Sequence, residues 1–330
     1  MRKISETNEK NVKNRKFKDY LRIVGVGIAM GSADIVPGVS GGTMAFILGI
    51  YEELLTTIKS FNFKFLKLLF SFKLKEAFEY VNYKFLISLL IGLGGALLSL
   101  AHSISWLLEN QPVLVFSFFF GLVLASIVSV SSHIRWNIPM VITFIIGTAI
   151  AYFTVRLVPM NMPNDPITLF WSASVAIMAM VLPGISGSFI LFILGQYKYI
   201  LDAVKSFDII TLLPVAAGIL VGILTFVRIL TWLLKHYKNI TITLLVGFMM
   251  GSLWKIWPFR IVLETATKPN GDMIPIRETV VLPDISTGTF WVSLGLCIIG
   301  FIIISLIDHL ESKNNPLINL FVKKKIIKNQ

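Results

Sequence analysis

Twenty-five residues, Pro37 to Phe61, recur without a gap as Pro183 to Phe207, and thirteen of the paired positions are identical. A chain that repeats itself at this length is two copies of one structural unit, so its fold must be one that can be built twice. The likeness continues further on. Gly92, Trp106, Leu107, Leu108, Gly121 and Ser126 match Gly218, Trp232, Leu233, Leu234, Gly247 and Ser252 at a shorter offset, which leaves twenty extra residues between the blocks of the first half.

The solvent for this unit is a bilayer. Of 330 residues, 55% are hydrophobic and 15% charged, and the mean hydropathy is +0.78. A water-soluble core has no room for that apolar content. Several runs have the roughly 20 apolar residues needed to cross a hydrocarbon layer of about 30 Å. The net charge of +12 is therefore read first as a signal of membrane topology and not of nucleic-acid binding. The lone Cys297 supplies neither a disulfide framework nor a metal cluster, and no cofactor is expected. The first apolar run leads directly into the repeated motif, which argues against a cleaved signal peptide.

Each half reads as one broken hydrophobic segment followed by three spans. The ranges are 21–50 (broken), 85–108, 112–131 and 139–158 in the first half, and 168–195 (broken), 209–234, 240–257 and 288–310 in the second. If the broken segments cross the membrane the halves are parallel; if they dip in and return, the halves are inverted. Positive charge in short loops stays cytoplasmic. With both segments re-entrant, 22 of the 30 Lys and Arg residues fall on one side. Letting the first segment cross would export the lysine-rich stretch 59–84. The expected fold is thus an all-α integral membrane protein of two inverted repeats, each a re-entrant broken helix hairpin plus three transmembrane helices. Its parts are a basic N-terminal segment (1–20), a first repeat (21–158), a second repeat (168–310) and a basic tail (311–330), with both termini cytoplasmic. Within the first repeat, 59–84 interleaves Phe and Leu with Lys at near-helical spacing, as an interfacial amphipathic helix would.

The breaks carry the chemistry. Pro37, Gly38, Ser40, Gly41 and Gly42 in one half, and Pro183, Gly184, Ser186, Gly187 and Ser188 in the other, cannot form good continuous helix. Non-helical backbone at membrane depth survives where it is buried or lines a polar cavity. An apolar helix follows each break at once, so its free N–H groups and positive end point back at the break. Ser40, Thr43, Ser186 and Ser188 add hydroxyls there. That pattern suits an anion, phosphate above all, and paired broken helices form the midplane sites of many transporters. The plain alternative is a kink in a packed helix. Among ionisable groups, Arg228 lies inside an apolar span about six residues, or ~9 Å, from its end, where it either snorkels or meets an anion. Its repeat partner is His102. Asp34 precedes the first break, is matched by Met180 in the second half, and is a candidate for coupling or for helix capping. Glu52 and Glu53 are expected at the interface.

The stretch ADIVPGVSGGTMAFILGIYEELL, with VLPGISGSFILFILG as its second copy, resembles the PopT family of bacterial polyprenyl-phosphate translocases, and the likeness covers nearly the whole chain. The resemblance implies a multi-pass protein of the bacterial plasma membrane. Such a protein returns undecaprenyl phosphate, the lipid carrier of cell-wall synthesis, from the outer to the inner leaflet, with that lipid and the surrounding membrane lipids as its partners. The two motif blocks are the site candidates it supplies; the roles of Arg228, His102 and Asp34 come from the residues alone. A doubly charged head group needs preorganised donors while its tail can stay in lipid. One rival is a membrane undecaprenyl-pyrophosphate phosphatase, whose similar loop follows serine with arginine. Here Gly41 and Gly187 follow the serines, and no catalytic residue can be named. The other rival is a permease for a small soluble anion.

Overall fold

The computed structural model describes residues 15–36, 39–157, 160, 162–267 and 273–312. Pro37, Gly38 and most of the two basic terminal segments lie outside them. The first half comprises α1 (Phe17–Ile35), α2 (Gly41–Ile47), α3 (Tyr51–Lys59), α4 (Phe63–Phe70), α5 (Leu74–Tyr80), α6 (Tyr83–Asn110), α7 (Pro112–Ser132) and α8 (Ile138–Thr154). The second comprises α9 (Pro166–Val181), α10 (Gly187–Ile193), α11 (Tyr197–Lys205), α12 (Ile209–His236), α13 (Lys238–Ser252), β1 (Arg260–Thr267), β2 (Met273–Val280) and α14 (Gly288–Ser312). Among the described residues, four helices are long and apolar enough to cross a membrane: α6, α7, α12 and the stretch Gly288–His309 of α14. α8 and α9 are apolar but shorter.

Both broken segments break for the same local reason. The residue before a proline is pushed out of the helical region. Val36 and Leu182 are accordingly extended, with φ/ψ of −86°/117° and −74°/131°. Each chain restarts as helix at a serine, Ser40 or Ser186, itself extended. The returning helices α2 and α10 are seven residues long, and both stop at a left-handed glycine, Gly49 (φ 73°) or Gly195 (φ 75°). The next residue's N–H reaches back to Ala45 O in one copy and Leu191 O in the other, which closes the helix end in the same way twice.

The packing repeats as well, with an exchange. α1 lies along α6 and α9 along α12, each pair within its own half. The last two helices of each half instead pair across the halves, α7 with α14 and α8 with α13. Glycine lets these backbones touch, as small residues do in membrane helices. A Cβ on Gly92 would strike the carbonyl of Val24, and one on its repeat partner Gly218 the carbonyl of Phe170; Gly121 faces Cys297 O and Gly247 faces Phe144 O in the same way.

One face of the molecule is tied by charge. Arg15 makes a two-pronged contact with Glu53 at 2.6 Å for each prong, Asn82 donates to the same carboxylate at 2.9 Å, and Lys238 pairs with Glu52 at 2.6 Å. The opposite face is tied by backbone. Met160 N–H donates to Ile193 O, and the buried Gln196 amide donates to the carbonyls of Met162 and Pro163 at 3.0 Å.

Two features differ from the expected fold. The chain is mostly helical but not wholly so, because β1 and β2 form an antiparallel hairpin. The stretch 59–84 is not one amphipathic helix. It contains α4 and α5, parted at Phe72, whose φ of 54° lies in the left-handed region and ends the first of them. Phe63, Phe70, Phe72 and Phe78 remain exposed there, at 49–89% of their full surface.

Candidate functional site

The two breaks meet. Helix α9 ends at Val181 with carbonyls that have no partner along the helix, and hydroxyls from the other half satisfy them. Ser40 Oγ donates to Met180 O at 3.2 Å and the Tyr51 hydroxyl to Val181 O at 2.9 Å. In return, the N–H of Gly184 donates to Thr43 Oγ1 at 2.9 Å. Gly42 has to lack a side chain here, because a Cβ would sit 2.7 Å from Met180 O. Gly184 is held at φ 88° with Phe248 O 2.7 Å from where its Cβ would be, so glycine is required both by the backbone and by space.

Inside the first break the donors are already in use. The Gly41 N–H donates to Asp34 Oδ1 at 2.6 Å, and the Gly42 N–H to Ser40 Oγ at 3.1 Å. Asp34 therefore holds the start of α2 with its own carboxylate. The second break differs. Met180 stands where Asp34 stands in the first, Ser186 makes no capping bond, and Ser186 Oγ and Ser188 Oγ contact each other at 2.9 Å. Ser188 is exposed and Ser186 half-buried, whereas Ser40, Gly41, Gly42 and Thr43 are all buried. Gly187 abuts Ala176 O, 2.6 Å from a notional Cβ.

The structure thus brings Asp34, Ser40, Gly41, Gly42, Thr43, Pro183 and Gly184 into one crossing, with Ser186, Gly187 and Ser188 at its edge. Arg228 and His102 stand apart from it. Arg228 is exposed on α12 and donates to Leu224 O of its own helix at 2.9 Å; His102 is exposed on α6. Among the described residues, no hydrogen bond joins either to a break.

A different basic residue, Lys255, approaches the second break, with Arg260 near it. Lys255 Nζ lies 5.1 Å from the ring centre of Phe189, next in the chain to Ser188, and Arg260 lies 5.9 Å from that of Phe116. Both cations face Glu278. The sequence clue was Lys255 itself, a charge at the end of an apolar run. On the other side of the crossing, a cavity of about 210 Å³ opens beneath the C-terminal end of α2, bounded by Phe46, Gly49, Ser129, His133, Asn239 and Asp308 among others. Among the described residues there is no group of His, Cys, Asp and Glu that could hold a metal ion.

The chain belongs to the undecaprenyl phosphate translocase-like family, whose model matches residues 30–274. It is 41% identical over 269 residues to a polyprenyl-phosphate transporter of Vibrio cholerae, covering 81% of this chain and 87% of that protein. It is 29% identical over 308 residues to a polyprenyl-phosphate transporter of Staphylococcus aureus, covering 87% and 96%. No solved structure matches it.

Proposed function

We propose that this protein is a polyprenyl-phosphate translocase that carries undecaprenyl phosphate from the outer to the inner leaflet of the bacterial plasma membrane. The observation that carries the reading is the crossing of two duplicated breaks, one sealed by its own carboxylate and one with its serines left open. Family membership and the names of both relatives support the same substrate. In this reading Ser186, Gly187 and Ser188 receive the phosphate, Ser40 to Thr43 form the floor against which it turns, and Asp34 is the coupling candidate. Arg228 and His102 serve at most as guides along the lipid-facing surface.

The halves are inverted and their broken segments re-entrant in this proposal. Support comes from the ion-paired face: Asn82, at the start of α6, and Lys238, just past the end of α12, both reach the Glu52–Glu53 pair. Equivalent helices thus begin and end on one face. That face collects the lysine-rich stretch and is taken as cytoplasmic. The cavity beneath α2 lies on it, and Lys255 and Arg260 on the other, so a head group would have a compartment on each side of the crossing.

The test uses the full chain in vesicles with a fluorescent short-chain prenyl phosphate in one leaflet, read by quenching from outside, with free phosphate measured in parallel. Movement of the lipid above that in empty vesicles, with no phosphate released, is expected. Phosphate release without lipid movement would make the protein an enzyme, and uptake of soluble phosphate alone would make it a permease.

A further inference from the structure

Lys255 and Arg260 bracket a single oxygen atom. Glu278 Oε2 lies 2.9 Å from Arg260 Nη1 and 3.6 Å from Lys255 Nζ. The three side chains come from three places, the turn after α13 and the two strands of the hairpin, and are 24%, 13% and 26% exposed. Arg260 is aimed by backbone. Its Nε donates to Trp257 O at 2.8 Å and its Nη2 to Trp254 O, which leaves Nη1 turned to the carboxylate. Two cations on one carboxylate leave an excess positive charge beside Phe189, one turn beyond Ser186.

We propose that Lys255 and Arg260 form the loading site for a phosphate monoester on this face, and that Glu278 occupies it as a displaceable stand-in. This rests on the translocase reading and adds where the head group docks before it reaches the serines. A carboxylate oxygen between an ammonium and a guanidinium occupies the position that a phosphoryl oxygen would take, and a dianion placed there outcompetes a monoanion for the same two donors. An aromatic ring lies beside each cation, Phe189 by Lys255 and Phe116 by Arg260. Because Glu278 belongs to the hairpin, its displacement would also free Lys255 from its contact with the hairpin.

The experiment measures binding of the fluorescent prenyl phosphate to the purified full chain, with and without millimolar inorganic phosphate, in wild type, Lys255→Gln, Lys255→Arg and Glu278→Gln. Arg260 is left intact because its bonds to two carbonyls hold the turn. Expected are about tenfold weaker binding in Lys255→Gln, the loss of one charge-assisted bond, partial recovery in Lys255→Arg, and tighter binding in Glu278→Gln, where the competing charge is gone. Weak competition by inorganic phosphate supports a lipid phosphate as the ligand; competition at equal affinity overturns that part and makes free phosphate the ligand. Wild-type affinity in both Lys255→Gln and Glu278→Gln overturns the loading site and leaves the translocase reading standing. Absence of binding by the wild-type chain overturns both.

Discussion

The two breaks share their sequence and differ in their chemistry. At the first, Asp34 fills the start of α2, Ser40 caps it, and every residue from Ser40 to Thr43 is buried. At the second, a methionine replaces the aspartate, the serines bond each other, and Ser188 reaches the surface. A duplicated unit has thus kept its backbone and divided its tasks. One copy is closed on itself and satisfies the end of α9; the other spends its serine hydroxyls on each other, with Ser188 at the surface.

The hardest blow to that division is Gly187→Leu. Its first side-chain atom would lie 2.6 Å from Ala176 O, and the rest would fill the open break, so transport should fall to the level of empty vesicles while the protein still reaches the membrane. Normal transport at matched abundance would reduce the second break to a kink.

A subtler exchange makes the halves alike. Met180→Asp places a carboxylate beside the second break, as Asp34 stands beside the first, and should weaken prenyl-phosphate binding by about tenfold or more through repulsion and competition for the same donors. If binding to Met180→Asp equals wild type, the open break is not where the phosphate sits.

The reverse exchange, Asp34→Met, strips the Gly41 N–H of a charged acceptor. The expected cost is about 1.5–3 kcal/mol of stability, seen as a lowered unfolding midpoint in detergent, and a larger drop than Met180→Asp produces. An unchanged midpoint would mean that Asp34 is held for transport and not for structure.

The smallest effect is expected at Arg228→Gln. Arg228 is exposed, bonded to its own helix and apart from both breaks. Transport should stay within about fivefold of wild type, and a greater loss would bring Arg228 into the path of the head group.

Much of this was legible in the chain. The prolines at 37 and 183 dictate extended residues before them, so the breaks and their restarts at serine followed from local rules. The glycine matches at 92/218 and 121/247 stood out as repeat pairs, but that they line the helix seams emerges only from the structure. The repeat led to the expectation of paired breaks, but the bonds by which they meet were not legible, because Thr43 and Gly184 are 141 residues apart and nothing local joins them. The capture of the Gly41 N–H by Asp34 spans seven residues and lay within reach of a capping argument, but its consequence, a first break already satisfied, depended on geometry. The hairpin was missed because it left only a faint mark in the sequence, β-branched residues within 261–267 and 274–280 beside far stronger long apolar runs. With it went the convergence of Lys255, Arg260 and Glu278, which exists because two strands carry distant residues back to the end of α13.

The exchange of the last helices between the halves has a consequence for how such a chain could be divided. Cut anywhere between α8 and α9, each piece would keep its first helix pair and lose the partners of its last two spans, leaving bare glycine strips at Gly121 and Gly147 on one piece and at Gly247 and Gly300 on the other. Neither fragment could close its own surface, so a half-length chain would need a second copy to lend it the missing helices, the arrangement of a domain-swapped dimer. In the full chain, fusion has made that borrowing permanent.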